Sequence, residues 1–320
     1  MVRKPQANSV RNGVIARSEA TKQSGFKNEI ASLPSVARND VLPLIIAALK
    51  EDIGSKDLTS SAIIPKDQQA KGDLIVRQEG VVAGIEIAEW VFAQVDSRIR
   101  FKPMVPDGSR VFPGKVVAFV EGPAHGILAA ERTALNFVGH LSGVASLTRL
   151  FVEKVKRYRV QILDTRKTTP GLRLLEKYAV AAGGGTPHRM GLYDQVLIKD
   201  NHLKLVHGLV EAVKEARSKL QKEILIEVEV NDLHQFRLAL SAQADIVLLD
   251  NMKLADIQEA VRLRNAVARS RQTRKPLLEV SGGVTFATVE AIAAAGVDRI
   301  SVGALTHSAP ALNVALELIG

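Results

Sequence analysis

VQILDTRKTTPGLRLLEKYAVAAGGGTPHRMGLYDQVLIKDNHL, residues 160–203, is the stretch of sequence from which the fold and the function of the chain can be worked out. It contains two short apolar strands, VQIL and QVLI, and each ends in a charged cluster, DTRK (164–167) after the first and KDNH (199–202) after the second. Between them lies GGGTPHR (183–189), where glycine lets the backbone approach a bound molecule closely. The pattern predicts a site built at strand ends.

Potential cations are concentrated in this stretch, and most of them stand at a strand end or beside glycine. They are Arg166, Lys167, His188, Arg189 and Lys199. A solvated helix face would instead scatter such charges among carboxylates at i+4 spacing. Cations gathered where backbone can approach a ligand predict a substrate that carries several negative charges.

The composition limits the classes of protein to consider. The 320 residues suffice for one large domain or two moderate ones. No apolar run reaches the roughly 18–20 residues that a membrane span needs, so no membrane partner is expected. Cysteine is absent, which excludes disulfides and thiolate chemistry and fits a reducing compartment such as the cytoplasm. The net charge is +9 but only 4% of residues are aromatic, so no nucleic-acid partner is expected.

Residues 1–39 differ from the rest of the chain. They lack sustained hydrophobic periodicity and are rich in Ser, Asn, Lys and Arg, which predicts a flexible or non-native N-terminal extension. An organellar targeting peptide is the weaker interpretation, because Glu19 and Glu29 interrupt the usual acid-poor pattern. The stretch also lacks the apolar core of a secretory signal, so export is not predicted.

Residues 40–143 alternate between helical and strand patterns and predict a small α+β unit. A helix is expected from Val41 and another over 85–95, with strands over 72–77, 98–102 and 115–120. A long helix follows over 124–158 and carries a stripe of small residues: Gly139, Ser142, Gly143, Ala145 and Ser146. Such a stripe allows close approach either by a second subunit or by another part of the same chain.

The second half of the chain repeats one pattern of apolar strand followed by helix. The predicted strands are 160–163, 195–198, 224–230, 245–249, 276–280 and 299–302, and the predicted helices are 205–220, 233–242, 254–267 and 286–295. Repeated βα units indicate a parallel sheet whose carboxyl ends, each followed by polar or glycine residues, meet on one face. Six strands predict an irregular, incomplete α/β barrel. The alternative is a doubly wound open sheet.

Three carboxylates follow from the same strand pattern. Glu227 and Glu229 are two positions apart and point the same way on a strand, and Asp250 ends the next strand. Facing the cations, they can hold a ribose, position Mg²⁺ or stabilise a developing positive charge. In the alternative interpretation one of the two glutamates is a buried ion-pair partner of Lys199 or Arg166. For Glu227 this is as good as a functional role, whereas for Glu229 and Asp250 the functional role is favoured.

Glycine follows each of the last two strands, in Ser281-Gly282-Gly283 and in Gly303-Ala304. In β/α barrels these loops often bind phosphate through backbone N–H groups. No catalytic nucleophile with an adjacent base stands out, and His188, His202 and His207 lack the spacing of zinc ligands. The residues therefore predict a polyanionic substrate, a phosphate group and charge stabilisation without a covalent intermediate, as in group transfer from a phosphorylated sugar.

The chain from about Val41 onward closely resembles quinolinate phosphoribosyltransferase, also called decarboxylating nicotinate-nucleotide pyrophosphorylase. The most specific part of the resemblance is the series TRKT…GGGxxHR…KDNH. The matching blocks are EDIGSKDLTS (51–60), AERTALNFVGHLSG (130–143), DTRKTTPGLR (164–173), GGGTPHRMGLYDQVLIKDNH (183–202), IEVEV (226–230), VLLDNM (247–252), EVSGGV (279–284) and ISVGALTHS (300–308).

The resemblance implies a pentosyltransferase, EC 2.4.2.19. It joins quinolinate to phosphoribosyl pyrophosphate (PRPP) with Mg²⁺ and gives nicotinate mononucleotide, pyrophosphate and CO₂ in de novo NAD biosynthesis. The implied architecture is an N-terminal α/β sandwich domain over 40–143, completed by 309–320, and a barrel domain over 144–308. The implied assembly is a homodimer in which Arg132 reaches the neighbouring subunit's site.

The resemblance also implies roles for individual residues. The five cations would surround the quinolinate carboxylates and the PRPP phosphates, with Thr165 beside them. Lys167, Glu229 and Asp250 would be catalytic, and the two carboxylates would contact the ribose and its metal. From the chemistry rather than the resemblance, the C2 carbanion left by decarboxylation needs an acid, and Lys167 or a bound water is the hypothesis. The 5′-phosphate would lie among Ser281, Gly282, Gly283, Val302, Gly303 and Ala304.

One departure from the family pattern stands inside the site. Pro187 occupies the place where the family usually has Asn, and proline removes a backbone donor and restricts the preceding residue. Two rival functions remain open at this stage. One is a related enzyme that uses another anionic ring, including the homologues associated with molybdenum transport. The other is a non-catalytic protein that binds phosphate or nucleotide.

Overall fold

The computed structural model describes residues 38–221, 223–271 and 275–319. The predicted N-terminal extension therefore lies outside the described residues, apart from residues 38–39, which begin the first helix. None of the helices in the described part combines the length and the apolarity needed to cross a membrane.

The helices and strands form two series along the chain. The first series is α1 (Arg38–Ile53), α2 (Leu58–Ile63), β1 (Gln69–Val76), β2 (Gly80–Val81), α3 (Ile85–Val95), β3 (Arg100–Pro103), β4 (Arg110–Val111), β5 (Val116–Pro123) and α4 (Ala124–Val155). The second is β6 (Gln161–Leu163), α5 (Arg173–Ala182), β7 (Val196–Ile198), α6 (Asp200–Leu203), α7 (Leu209–Lys219), β8 (Ile226–Val230), α8 (Leu233–Ser241), β9 (Ile246–Asp250), α9 (Leu254–Arg271), β10 (Leu277–Ser281), α10 (Val289–Ala294), β11 (Arg299–Ser301), α11 (Ala304–His307) and β12 (Val314–Ile319).

The first series builds an antiparallel sheet in the order β12-β1-β5-β3, and β2 pairs with β4 in a separate ribbon. Side chains on β1 alternate between the two faces, and Leu74 and Val76 are fully buried in the core, as the period of two requires. β12 comes from the end of the chain and pairs with β1 from Lys71↔Ile319 to Val76↔Val314. The last strand of the chain is thus part of the first sheet.

The stripe of small residues on α4 packs against the same chain. The hydroxyls of Ser142 and Ser146 accept the backbone N–H groups of Ala83 and Val81, at 2.9 and 2.8 Å. A Cβ added to Gly143 would lie 2.1 Å from the carbonyl oxygen of Pro310. Of the two interpretations of the stripe, internal packing is the one that accounts for these contacts.

The second series builds a six-stranded parallel sheet in the order β6-β11-β10-β9-β8-β7. Strands β7 to β11 lie side by side in chain order. β6, which precedes them in the chain, pairs with β11 at one edge of the sheet. A doubly wound sheet would instead reverse its strand order at a switch point. Among the described residues β6 has no hydrogen-bonded partner strand on its other side beyond one isolated bridge, Leu163↔Thr186. The prediction of an incomplete α/β barrel is confirmed.

Two helix predictions in this half were wrong at their N-terminal ends. The predicted helix over 205–220 begins only at Leu209, because Gly208 has a φ of +115° that a helix cannot contain. The predicted helix over 286–295 begins only at Val289, because Thr285 and Thr288 bond to each other in a turn before it. α5 was not predicted at all.

Candidate active site

A pocket of about 700 Å³ opens at the carboxyl ends of the barrel strands and takes in nearly every predicted site residue. The predicted residues that line it are Thr165, Arg166, Lys167, His188, Arg189, Lys199, Glu229, Asp250, Ser281, Gly282, Gly283, Gly303 and Ala304. Two others do not line it. Arg132 is exposed on α4, and Val302 is buried with its N–H donated to the carbonyl oxygen of Leu163 at 2.9 Å.

Strand alternation explains which side chains reach the pocket. Every second residue of a barrel strand points inward, so Glu229, Asp250 and Ser281 form the upper layer at the mouth. Asp250 is in register with Ser281 on the adjacent strand. Two residues earlier on their strands, Glu227 and Glu279 are fully buried in a lower layer. Sequence reasoning missed Glu279, although it stands two positions before Ser281, as Glu227 does before Glu229.

Lys167 lies on the side of the pocket that the last glycine loop forms. The hydroxyl of Thr306 in α11 donates to the carbonyl oxygen of Lys167 at 2.8 Å, which fixes the backbone there. A Cβ added to Gly303 would lie 3.3 Å from the Cδ of Lys167, so the lysine side chain crosses directly over that glycine. A phosphate near this loop would meet the Lys167 ammonium.

Asn251 is a pocket residue that the sequence predictions did not include. Its Nδ2 donates to the Asp250 carboxylate at 2.8 Å, and its backbone takes a left-handed conformation with a φ of 53°. Asparagine adopts that conformation more readily than most residues. Gly282 has a φ of +85°, and a Cβ there would lie 2.4 Å from the Oδ1 of Asn251. Glycine at 282 therefore leaves the space in which Asn251 holds Asp250.

Three cations of the pocket have no carboxylate within ion-pair distance in the part of the chain that the structure describes: Arg166, Lys167 and Arg189. The Nε of Arg166 is buried without a hydrogen-bond partner. Burial, and after it the neighbouring Arg166 guanidinium, lower the pKa of Arg189. Two guanidiniums that repel each other in a pocket favour an anion bound between them.

Lys199 differs from these three, because its Nζ lies 2.8 Å from a carboxylate oxygen of Glu229. The alternative interpretation, an ion pair between one of the two glutamates and Lys199 or Arg166, therefore holds for Glu229 and is wrong for Glu227. Glu227 Oε2 lies 3.4 Å from the Nε2 of His188 and accepts the side-chain amide of Gln195 at 2.7 Å. It is buried, as that interpretation required, but it belongs to the lower layer.

His188, Glu227 and Glu279 form a buried cluster beneath the mouth. The Nε2 of His188 lies 3.2 Å from a Glu279 oxygen, and the Ser301 hydroxyl donates to the same oxygen. Arg299 Nη1 lies 3.4 Å from the other oxygen of Glu279. The ligand atoms of the first three residues all lie within 4.8 Å of one another, close enough to surround a metal ion. Arg299 already compensates the charge of Glu279, so the cluster is better described as an ionic network.

His188 and the two carboxylates beside it determine where the cluster holds its proton. Burial alone would lower the pKa of His188, but Glu227 and Glu279 outweigh it and raise that pKa to about 9. One hydrogen bond favours the neutral ring instead. The Nδ1 of His188 accepts the N–H of Arg189 at 2.7 Å, and it can do so only when that atom carries no proton. Burial, then Glu279, raise the pKa of Glu227, so a proton that leaves the ring has a carboxylate to receive it. With a single proton on either His188 or Glu227, the charges of the cluster and of Arg299 sum to zero.

A second cavity, of about 740 Å³, lies at the opposite end of the barrel strands. It is lined by Arg217 and Arg264, which pair with Asp245 and Asp298. These aspartates accept backbone N–H groups at the starts of β8 and β10. Both arginines of this cavity are therefore paired and help to hold the amino ends of the strands.

Comparisons with known proteins show which proteins the chain is similar to. The family model described as quinolinate phosphoribosyl transferase, C-terminal domain, matches residues 144–317, and the corresponding N-terminal domain matches residues 57–142. A probable nicotinate-nucleotide pyrophosphorylase [carboxylating] of Bacillus subtilis is 39% identical over 84% of this chain and 90% of its own. The nicotinate-nucleotide pyrophosphorylase [carboxylating] of Mycobacterium leprae is 40% identical over 85% of this chain and 94% of its own.

A solved structure shows the same fold. The nicotinate-nucleotide pyrophosphorylase from Francisella tularensis superposes with a TM-score of 0.83 at 38% identity. The superposition covers 92% of this chain and all of that one.

Proposed function

Because the chain belongs to the quinolinate phosphoribosyltransferase family, we infer that it joins quinolinate to PRPP in the pocket at the barrel mouth, with loss of CO₂ and pyrophosphate. The product is nicotinate mononucleotide, a precursor of NAD. The observation that supports this assignment at the level of the site is a set of three cations, Arg166, Lys167 and Arg189, beside the carboxylates Glu229 and Asp250. Among the described residues none of the three has a carboxylate within ion-pair distance.

The two ends of the pocket suit the two substrates. Arg166 and Arg189 offer two adjacent guanidiniums, which match the two carboxylates of quinolinate. Lys167 crosses Gly303 in the last glycine loop, and Gly282 and Gly283 form the loop before it, so this end suits phosphates. The substrates would then meet over the layer that contains Glu229 and Asp250.

Transfer follows from this arrangement. The pyridine nitrogen of quinolinate attacks C1′ of the ribose as pyrophosphate leaves, and positive charge develops on the ribose in between. Glu229 and Asp250 lie at the mouth on adjacent strands and would stabilise that charge electrostatically. Lys199 holds Glu229, and Asn251 holds Asp250, so neither carboxylate needs to reorganise during the reaction.

Decarboxylation uses the same cations differently. Once the nitrogen is quaternary, the ring can accept the electron pair released when the 2-carboxylate departs as CO₂. Arg166 and Arg189 must position that carboxylate without opposing its loss, because tight binding of the ground state alone does not raise the rate. The carbanion at C2 then takes a proton, for which Lys167 or a bound water is the proposed donor.

Mg²⁺ is part of the proposal. Glu229 and Asp250 both offer carboxylate oxygens to the pocket, and hard oxygen ligands together with substrate phosphates suit this ion. Bound there with PRPP, it would neutralise the leaving pyrophosphate. The buried cluster around His188 is a poorer place for it, because Arg299 already compensates Glu279.

The assembly and the location also remain proposals. Arg132 is exposed on α4 and is not among the residues that line the pocket, which is the arrangement expected if it completes the site of a second subunit. We therefore propose a homodimer with shared sites. A cytoplasmic location is proposed from the absence of cysteine, which suits a reducing compartment.

A turnover assay tests the function. Purified protein with Mg²⁺, PRPP and either quinolinate or nicotinate should form mononucleotide and CO₂ from quinolinate only, and chelation of the metal should stop it. Lys167→Ala and Arg132→Ala should abolish product, whereas Lys156→Ala, an exposed lysine outside the pocket, should not. Mixing the two inactive variants should restore activity if Arg132 acts in the neighbouring subunit. Binding of PRPP without any product from quinolinate would refute the assignment and favour the rival functions.

A further inference from the structure

A buried ion pair behind the pocket wall holds the backbone of His188. Lys177 Nζ lies 2.8 and 2.7 Å from the two carboxylate oxygens of Asp164. Asp164 Oδ1 accepts the N–H of His188 at 2.6 Å, and Lys177 Nζ donates to the carbonyl oxygen of His188 at 3.0 Å. The side chains of Asp164 and Lys177 are 0% and 2% exposed. One ion pair therefore satisfies both backbone polar groups of a pocket residue, yet neither member lines the pocket.

The ion pair extends the contact between β6 and the segment 186–189 past a point where the backbone has no donor. Thr186 bridges to β6 and donates its N–H to the carbonyl oxygen of Ile162 at 2.8 Å. The next residue, Pro187, has no N–H to donate. His188 carries the first donor beyond the proline, and it goes to the Asp164 carboxylate at the end of β6. The open edge of the barrel is thus tied to the segment that carries His188 and Arg189.

The ring of His188 is held from the opposite side. Glu227 and Glu279 approach its Nε2, and the N–H of Arg189 donates to its Nδ1. The Arg189 guanidinium also donates to the carbonyl oxygen of Gln195 at 3.0 Å. The backbone and the ring of His188 are therefore held by different partners. The position of the Arg189 guanidinium depends on both.

Stability alone does not explain an ion pair in this place. Burial is the largest influence on both members: it raises the pKa of Asp164 and lowers the pKa of Lys177. A buried ion pair is often no more stabilising than apolar side chains of similar volume, because the desolvation of two charges offsets their attraction. Apolar side chains could pack α5 on β6 but could not bind a backbone N–H and a backbone C=O.

We propose that Asp164 and Lys177 are positioning residues of the half of the site that binds the pyridine dicarboxylate. They act through His188 and Arg189, which they hold at the distance from Arg166 that two carboxylates on one ring require. This inference rests on the proposed function for its substrate. Lys167 in the phosphate half follows Asp164 by three residues, but its backbone is held separately by Thr306, and the glycine loops lie on other strands, so the pair should affect the dicarboxylate site more than the phosphate site.

The test replaces the pair with uncharged side chains. Asp164→Leu with Lys177→Met keeps apolar packing and removes both backbone contacts, whereas Asp164→Asn with Lys177→Met keeps an acceptor for the N–H of His188. A shift of about 1 Å can cost on the order of 100-fold at a well-placed group. We expect the KM for quinolinate to rise by about 10- to 100-fold in the Leu/Met variant, with the KM for PRPP changing by less than about 3-fold. The Asn/Met variant should recover part of the loss.

The chain supplies a matched control at the other end of the barrel. Arg264 pairs with Asp298 and donates to the carbonyl oxygen of Gly296 at 3.2 Å. Asp298 in turn accepts the N–H of Leu278 at 2.8 Å. Asp298→Leu with Arg264→Met removes the same kind of pair. It should change the melting temperature without changing either KM.

Each outcome decides the inference. A KM for quinolinate unchanged in the Leu/Met variant, or raised equally with that for PRPP, overturns it. An equal rise of that KM in the control variant also overturns it. If the wild-type protein does not use quinolinate, the proposed function fails, and the inference is then decided by NMR signals of the His188 ring. Those signals must move in the variant at Asp164 and Lys177 and stay in place in the control.

Discussion

Removing the charge of Glu279 should expose how strongly the buried cluster under the pocket is coupled. Glu279→Gln keeps the size of the side chain and an oxygen for the Ser301 hydroxyl, but it leaves Arg299 without its partner at 3.4 Å. At that separation and an effective dielectric constant of about 20, the attraction between two unit charges is about 5 kcal/mol. Loss of one member of a buried pair generally costs about 3–5 kcal/mol. We expect a loss of that size in the free energy of unfolding.

The measurement is a double-mutant cycle by urea denaturation at neutral pH. The second single variant is Arg299→Met, and the double variant combines it with Glu279→Gln. Because the double variant removes both charges, it should be more stable than the sum of the single effects predicts, by at least about 1 kcal/mol. A control is Glu317→Gln, whose partner Arg77 is 42% exposed, and which should cost less than about 1 kcal/mol.

Two results would refute this reasoning. A loss below about 1 kcal/mol for Glu279→Gln would mean that water reaches the cluster and screens it, as it does a surface pair. Strict additivity of the two single variants would mean that Glu279 and Arg299 do not interact in solution, whatever their separation in the structure.

Three further predictions concern other parts of the molecule. Gly282→Ala must force a φ of +85° on alanine and displace Asn251, so the KM for PRPP should rise by about 10-fold or more, and an unchanged KM contradicts the described geometry. Gly143→Ala gains up to about 1 kcal/mol of helix propensity but meets Pro310 at 2.1 Å, so urea denaturation should show a net loss of about 1–2 kcal/mol, not a gain. His188, whose pKa is raised from 6.5 to about 9, should contribute at most about 3 kcal/mol of stability, complete below pH 6.5 and lost as the pH rises through 9. If NMR shows no titration of the His188 imidazole between pH 6.5 and 9, the proton of the buried cluster lies on a carboxylate instead.

Periodicity was sufficient to predict the six parallel strands, but not β12 of the first sheet and not every helix. The six parallel strands are apolar runs that end in polar or glycine residues, and such runs are typical of a sheet buried on both faces. α5 was missed because two charged residues are buried on it beside the apolar Leu175, Ala179, Val180 and Ala182. Glu176 and Lys177 are 0% and 1% exposed, and Tyr178 donates to Asp107 in the first series of elements. Charged residues with remote partners hide the amphipathic pattern on which helix prediction depends.

The site residues that could be predicted are those at strand ends, because their place in the sequence determines their place in the fold. Residues at strand ends had to meet, because parallel strands bring their carboxyl ends to one face, and they line the pocket. Ion partners were not predictable in the same way. His188 lies between Glu227 of β8 and Glu279 of β10, two strands separated by β9. Which carboxylates meet across the barrel interior depends on the order and tilt of the strands, and no local pattern contains that information.

The return of β12 to β1 has a consequence for how the protein is made. Arg77 beside β1 pairs with Glu317 on β12, 240 positions later in the chain. During synthesis from the amino terminus, the first sheet must therefore wait with one edge uncovered until the last strand leaves the ribosome. A bare edge can pair with other chains, so this interval is when the nascent protein most needs protection by a chaperone. Deleting only the last few residues would make that vulnerable state permanent while leaving every residue of the pocket in place.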